Sequence, residues 1–492
     1  MTRVGIARTK DSYQGLTPPF GPGRSYPELA AWLPPPAGPP NHVYAAVRAA
    51  LHALGLDSAR FGTPDWNPLG ELVPTGGRVV CKPNFIRHWN PAPGSSIESV
   101  VTHGSVLRAA LDYARLAVGP EGSLAIAEAP QHDCDFETIR RIAGLDEIAG
   151  FYAEELGCEL EIVDLRREAV VYRDGVIVER RSLPGDPRGY RLVDLGQRSA
   201  FHGSGLDPQR FRGADYDARA TTEHHLEGHH EYLLSETVLS ADLVVNLPKL
   251  KTHKKTGVTL ALKNLVGING DKNLLPHHCA GSTGAGGDEF PGEAWIDRAR
   301  SRAVDAARLL LRRGVGTGLL RAARRFESTA RGDTFVRAGN WHGNRTTWRM
   351  CLDLNRAFYY SDARGPHWDA PGPLRRALHV VDGIVAGEGN GPLAPRDRPL
   401  GVIVAATDPL ALELACVRLM GFDETRIPLL REAMAAPSFR IGTVRRASDV
   451  QVVEADAEGR VCETSLAALA PVQAFSPHPG WHEVLGVRPC AE

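Results

Sequence analysis

Apolar and polar positions first fall into a regular pattern near residue 76. GRVVCKPNFI (77–86) is an apolar run ending in a turn, and it predicts a strand over 78–81. HGSVLRAALDYARLA (103–117) repeats its apolar residues at helical spacing. GSLAIAEAP and ELEIVDL predict strands at 123–127 and 159–165. Strands alternating with helices indicate βαβ units and an α/β fold with a mostly parallel sheet. The pattern returns later in the chain. Leu243–Leu247 reads as a strand broken by Pro248, and TTWRMCLDLNRAFYY (346–360) as a helix. LHVVDGI (378–384) and LGVIVAATDP (400–409) read as strands, and PLALELACVRLMG (409–421) as a helix stopped by Gly421.

Between these blocks the pattern changes. Residues 12–41, ending in WLPPPAGPPN, are rich in Pro and Gly and predict an extended, wrapping arm. VVYRDGVIVERRSLP (170–184) places Asp-Gly between β-prone runs, a hairpin signal. Residues 280–292 read as a lid-like loop and 295–325 as Arg-rich helices. The chain thus divides into an N-terminal arm and helix (1–75), a first part of the α/β core with a β insertion near 169–195 (76–278), a loop and helical insertion (279–375), and a second part of the core with a C-terminal tail (376–492).

Composition narrows the function. The 492 residues carry Lys+Arg 57 against Asp+Glu 58, a balance unlike that of a protein whose whole surface binds nucleic acid. No apolar run is long enough to cross a membrane. The N-terminus lacks a charged head followed by an apolar core, so a cytoplasmic protein is expected. The eight Cys are isolated, without a C-x-x-C pair. Buried thiols are expected, with no disulfide frame and no iron–sulfur cluster.

One feature of the charge is local. Only eight of the 57 cations are Lys, and six of these lie between Lys249 and Lys272. Arg is a permanently charged planar fork, whereas Lys is a compact ammonium whose pKa moves on burial. A Lys-only segment, NLPKLKTHKKTGVTLALKNLVGINGDK, points to a crowded anion site or to lysine acid–base chemistry. A solvated surface run is the competing reading. The segment after Pro248 is expected to be a loop, and GVTLALKNLVG a short helix, on which Lys263 could cap the C-terminus.

Ligands of open parallel sheets sit at the carboxyl ends of strands. Lys82, Asn84, Glu128, Lys249, Lys251, Asp382, Glu388 and Asp408 all follow predicted strands, so they are expected to converge on one cleft. Asp408 before Pro409 is also a complete helix N-cap. EGNGP (388–392) could offer backbone amides to an anion. His253, among lysines, should stay neutral and could act as a base. HHLEGHH (224–230) matches no zinc spacing and reads as a polar segment.

VVNLPKLKTHKKTGVTLALKNLVG resembles the signature of a bacterial and archaeal family, domain of unknown function 362. VVCKPNFI and VDGIVAGEGNGP followed by VAATDPLALELACVRLMG resemble it too, so the likeness spans roughly 78 to 422. Many members carry ferredoxin-like Cys runs, which this chain lacks. The resemblance marks Lys82, Asn84, Lys249, Lys251, Thr252, His253, Lys263, Asn264, Asp382, Glu388, Gly389, Gly391 and Asp408 as the candidate site. The expectation is an enzyme on a small anionic substrate bearing phosphate or carboxylate. Lys82, Asn84, Lys249, Thr252, Asn264, Glu388, Gly389 and Gly391 would bind it. His253, Lys251 and Lys263 would carry the chemistry, a Schiff-base lysine included. Asp382 and Asp408 would hold a divalent cation such as Mg²⁺. The alternative is a binding or redox-accessory protein working with a separate iron–sulfur partner. An RNA-binding module fits least, because the basic segment has no aromatic residue to stack bases.

Overall fold

The computed structural model describes the chain apart from residue 37 and residues 174–175, 214–217, 293–337 (save 301, 306 and 318), 472–473 and 486–492. The Arg-rich helices expected over 295–325 and the Asp174-Gly175 turn lie outside the described residues.

The core is an eleven-stranded mixed sheet. Its strands are β1 (Thr2–Arg8), β2 (Arg78–Pro83), β3 (Ser123–Glu128), β4 (Leu160–Asp164), β7 (Leu243–Leu247), β8 (Lys249–His253), β9 (Gly257–Thr259), β10 (Arg376–Asn390), β11 (Ala394–Ala406), β12 (Val450–Ala455) and β13 (Val461–Ser465). A separate hairpin pairs β5 (Glu168–Arg173) with β6 (Val176–Ser182). The order across the sheet is β13-β12-β1-β11-β10-β7-β2-β3-β4. The stretch from β10 to β4 is parallel throughout, as expected; β11 runs antiparallel to both β10 and β1. The two expected halves of the core therefore meet within one sheet, along the β7–β10 ladder.

Near-continuous apolar strands are those buried on both faces. Here Val80, Ala125, Ala127 and Val244 enter one apolar cluster, while Val79, Cys81, Leu124, Ile126 and Val245 enter another on the opposite face. Helices α1 (His42–Ala53) and α2 (Gly104–Val118) supply Val47, Leu51, Val106, Leu107 and Leu111 to the second cluster. Helices α4 (Thr347–Tyr359) and α5 (Pro409–Leu419), with the four-residue α3 (Ala261–Asn264), pack on the first. Both terminal segments join the sheet. TRVGIAR is its strand β1, lying between β11 and β12, rather than part of a flanking arm.

Two expectations about the lysine segment are corrected. It is not a loop: after Pro248 the chain resumes pairing as β8, parallel to the distal half of β10 and antiparallel to β9. Pro248 donates no ladder bond, but its carbonyl accepts from Asp382 N (2.9 Å), so the strand bends without ending. GVTLALKNLVG is not one helix either; it divides into β9, α3 and a 3₁₀ turn over Leu265–Ile268. The strand expected over LHVVDGI extends to Asn390, so EGNGP begins within a strand and is not a Gly-rich loop.

Candidate functional site

In the strand KLKTH, side chains alternate between faces. Leu250 enters the apolar core, and Lys249, Lys251 and His253 share the other face. This side is buried too, and each ammonium there is met by a specific partner. Lys249 Nζ pairs with Asp382 Oδ2 (3.0 Å) and donates to the Tyr13 hydroxyl (2.8 Å), which in turn donates to Asp382 Oδ1. The N-terminal arm delivers Tyr13, stacked on His103, the N-cap of α2, whose backbone N–H also donates to Asp382 Oδ2 (2.9 Å). Lys82 Nζ pairs with Glu128 Oε2 (2.7 Å) and donates to Pro83 O (2.9 Å). Lys251 Nζ donates to Asn84 Oδ1 (2.6 Å) and to Val100 O, both uncharged. Burial, with Lys249 and Lys263 nearby, pushes its pKa well below the ordinary lysine value.

Asparagines join these groups. Asn84 Nδ2 donates to Asn264 Oδ1 (2.7 Å), and Asn264 Nδ2 donates to Asn246 Oδ1 (2.7 Å). The network is packed closely enough that a Cβ on Gly267 would overlap Glu128 and Lys82. The solvated-run reading therefore fails for this part of the segment. Lys82, Lys249 and Lys251 are fully buried. Replacing Lys251 by Arg is expected to cost about 1–3 kcal/mol in urea unfolding, because a bulkier fork must enter a filled space. A change in midpoint within error would contradict that packing argument.

In front of this layer lies a cavity of ≈ 570 Å³. Lys254, Lys255, Lys263 and Lys272, four of the six clustered lysines, line it together with His253, His277, Asn84, Asn264 and Glu128. Lys82, Lys249 and Lys251 do not line it, so the single cleft expected for all strand-end residues is corrected to two layers. Lys255 Nζ donates to His277 O (3.4 Å) and Ala338 O, and Lys272 Nζ donates to Val266 O (3.5 Å). Burial lowers both to about 7; nearby Lys254 adds to the effect at Lys255, and Lys82 and Lys263 to that at Lys272. Lys263, half-buried, has no hydrogen-bond partner among the described residues and caps no helix carbonyl. Burial lowers its pKa as well. Among the described residues, the acids on the wall are Glu128, paired with Lys82, and Asp133, paired with Arg87 (3.0 Å).

The histidines divide the work differently from the sequence expectation. His253 Nδ1 accepts from the backbone N–H groups of Lys255 (3.0 Å) and Thr256 (3.1 Å). The proton of the neutral ring is therefore on Nε2, so His253 is a donor and not a base. Burial and the cations Lys263, Lys254 and Lys255 hold it neutral. His277 has the opposite tautomer: its Nδ1 donates to Leu275 O (2.8 Å), leaving Nε2 as an acceptor. Burial and Lys255 push it down to about 3. Sequence reasoning missed His277, Lys255 and Lys272 as candidates. The Lys bias extending to Lys272 was the available signal.

Other candidates are placed elsewhere. Thr252 Oγ1 donates to Gly389 O (3.0 Å), and Lys254 N to Gly391 O (3.0 Å), so this part of β10 anchors the lysine strand. Glu388 accepts from Ser476 N (2.9 Å) and pairs with Arg396 (3.4 Å), tying down the C-terminal segment. Thr252, Glu388, Gly389 and Gly391 do not line the cavity. Asp408 Oδ1 caps α5 through Leu410 N (2.8 Å) and Ala411 N (3.1 Å), and its Oδ2 accepts from Thr443. Its strand is antiparallel, so its carboxyl end points away from the lysine rim, and Asp382 and Asp408 do not form a shared cation site. Among the described residues, no group of three or more His, Cys, Asp or Glu has the geometry to hold a metal. No helix of the described residues is long and apolar enough to cross a membrane.

Fold and site together define an α/β protein with a mostly parallel sheet and a lysine-walled cavity at strand ends. Residues 176–418 match the family described as "Domain of unknown function (DUF362)". The thylakoid-associated protein sll1697 of Synechocystis sp. is 23% identical over 220 residues, 45% of this chain and 43% of that protein. The chain thus spans under half the length of this curated relative. Two solved structures show weak likeness. The lactate racemase apoprotein from Thermoanaerobacterium thermosaccharolyticum has TM-score 0.31 and 10% identity, covering 75% of this chain and 54% of that one. A structural-genomics protein from Thermotoga maritima has TM-score 0.28 and 9% identity, covering 71% and 53%.

Proposed function

We propose that the protein is an enzyme acting on a small anionic molecule, bearing phosphate or carboxylate, bound in the lysine-walled cavity. The carrying observation is the charge arrangement of that wall. Among the described residues four lysines line it, and the two acids on it are already held in ion pairs. An excess of lysines over acids at a half-buried surface favours an anion. The volume is that of a small-molecule site. Lys263 and Lys272 meet the anion, and His253 Nε2–H adds a donor. Lys82, Lys249 and Lys251 act behind the wall, fixing Asn84 and β8. Lys255 and Lys272, titrating at about 7, are suited to move a proton at neutral pH. We place the protein in a reducing, cytoplasmic setting, supported by its seven described cysteines, all free thiols.

Sulfate tests the reading because its charge is constant above about pH 3. Calorimetric titration should show binding at pH 6. Affinity should fall by about tenfold or more by pH 8.5, since each lysine deprotonated on that wall removes favourable charge. The sign follows from the two lysines: protonated below about 7, they are neutral above it. Absence of sulfate binding at pH 6 rejects the anion site; binding that strengthens with pH rejects these lysines as its basis.

A further inference from the structure

We propose that Lys263 forms an imine with a small aldehyde or ketone bearing a phosphate or carboxylate, a reading that rests on the anion site above. The observation is an unoccupied amine in a polar enclosure. Lys263 Nζ lines the cavity and has no hydrogen-bond partner among the described residues. Lys255 and Lys272 donate to backbone carbonyls, and Lys82, Lys249 and Lys251 are committed behind the wall. Lys263 is therefore an amine on this wall with its nitrogen free to react. It also sits on a rigid support: Leu262 N donates to Glu413 Oε1 (2.9 Å), and Asn355 Nδ2 to Leu262 O (2.9 Å), so α3 is clamped on both sides of its backbone.

Its burial suits that chemistry. An amine must be neutral to attack a carbonyl, and burial favours the neutral form. Burial lowers the pKa of Lys263, and its charge in turn opposes protonation of Lys251, His253 and His277. In the first step Nζ bonds to the carbonyl carbon, the C=O π bond opens onto oxygen, and one Nζ proton passes to that oxygen to give a carbinolamine. In the second, the hydroxyl leaves as water with a proton from Lys255 or Lys272, and Nζ returns its remaining proton to that lysine as the C=N bond forms. One water is produced and no oxidant or reductant is needed. The remaining ammonium groups hold the anionic end of the substrate. Arg cannot take part in this reaction at neutral pH, which gives the Lys bias of the segment a chemical reason.

The test uses the full chain with glycolaldehyde phosphate or glyoxylate, sodium borohydride to reduce any imine, and peptide mapping by mass spectrometry. One label per chain is expected on Lys263, forming about tenfold or more faster than on exposed Lys10, because more of the half-buried amine is neutral. Sulfate should suppress it. Lys263→Met should abolish the label, with its melting temperature recorded to show that the chain is folded. Labelling led by Lys254, Lys255 or Lys272 overturns the assignment. Sulfate binding without any trapped label overturns the imine and leaves the anion site standing; absence of both removes both.

Discussion

Lys82→Met is expected to destabilise the fold by about 3–5 kcal/mol, the range for breaking a buried ion pair from one side. Lys82 is fully buried and Glu128 nearly so, with Nζ 2.7 Å from Oε2. Removing the ammonium strands a carboxylate and takes the donor from Pro83 O and from Asn264 Oδ1 (3.3 Å). The double variant Lys82→Met, Glu128→Gln should recover part of the loss, because no unpaired charge then remains. Urea unfolding of the three variants measures the cycle. A single-variant loss under about 1 kcal/mol would show that the pair is well solvated and would remove the argument for a buried layer behind the cavity.

Glu413→Gln should stabilise the protein at pH 8 relative to wild type by a few kcal/mol, with a much smaller difference at pH 5. Burial pushes the Glu413 carboxyl up to about 8 from an ordinary 4.5. Between these two values the folded chain holds a proton that the unfolded chain has released. Stability from this group is therefore complete below about 4.5, falls as pH rises through the window, and is fully lost above about 8. Gln keeps an acceptor for Leu262 N and carries no charge to bury. Denaturation curves at pH 5, 6.5 and 8 give the difference between variant and wild type at each pH. A difference that does not grow with pH would mean that Glu413 titrates as an ordinary carboxylate. Because Glu413 anchors α3, the same titration bears on the placement of Lys263.

Much of the core was legible. Strands β2, β3, β4 and β7 and helices α2, α4 and α5 follow from apolar runs and helical spacing, because a two-sided sheet demands such residues wherever it is covered. The Asp408 cap was legible from Asp-Pro alone. What misled was charge. KLKTH looked like a loop, since lysines are seldom buried. Its period of two, with Leu250 on one face and Lys249, Lys251 and His253 on the other, was the strand signal. β1 escaped notice because TRVGIAR is short and next to a Pro/Gly-rich arm.

The sequence by itself determined that the lysines concentrate in this segment, that the fold is α/β, and which residues were available to a site. Tertiary structure alone decided which lysines are structural and which face a cavity. Lys82 and Lys251 lie far apart in the chain, yet they are joined through Asn84 and Asn264, a relation fixed only when β2, β8 and α3 pack together. The same holds for the histidines. His253 and His277 are chemically identical side chains, and only the backbone groups that meet Nδ1, two N–H donors at one and a carbonyl at the other, give them opposite tautomers. Strand direction decided Asp408: a carboxylate after a strand reaches the lysine rim only if that strand runs parallel to its neighbours, and hydrogen-bond pairing across the sheet sets that direction.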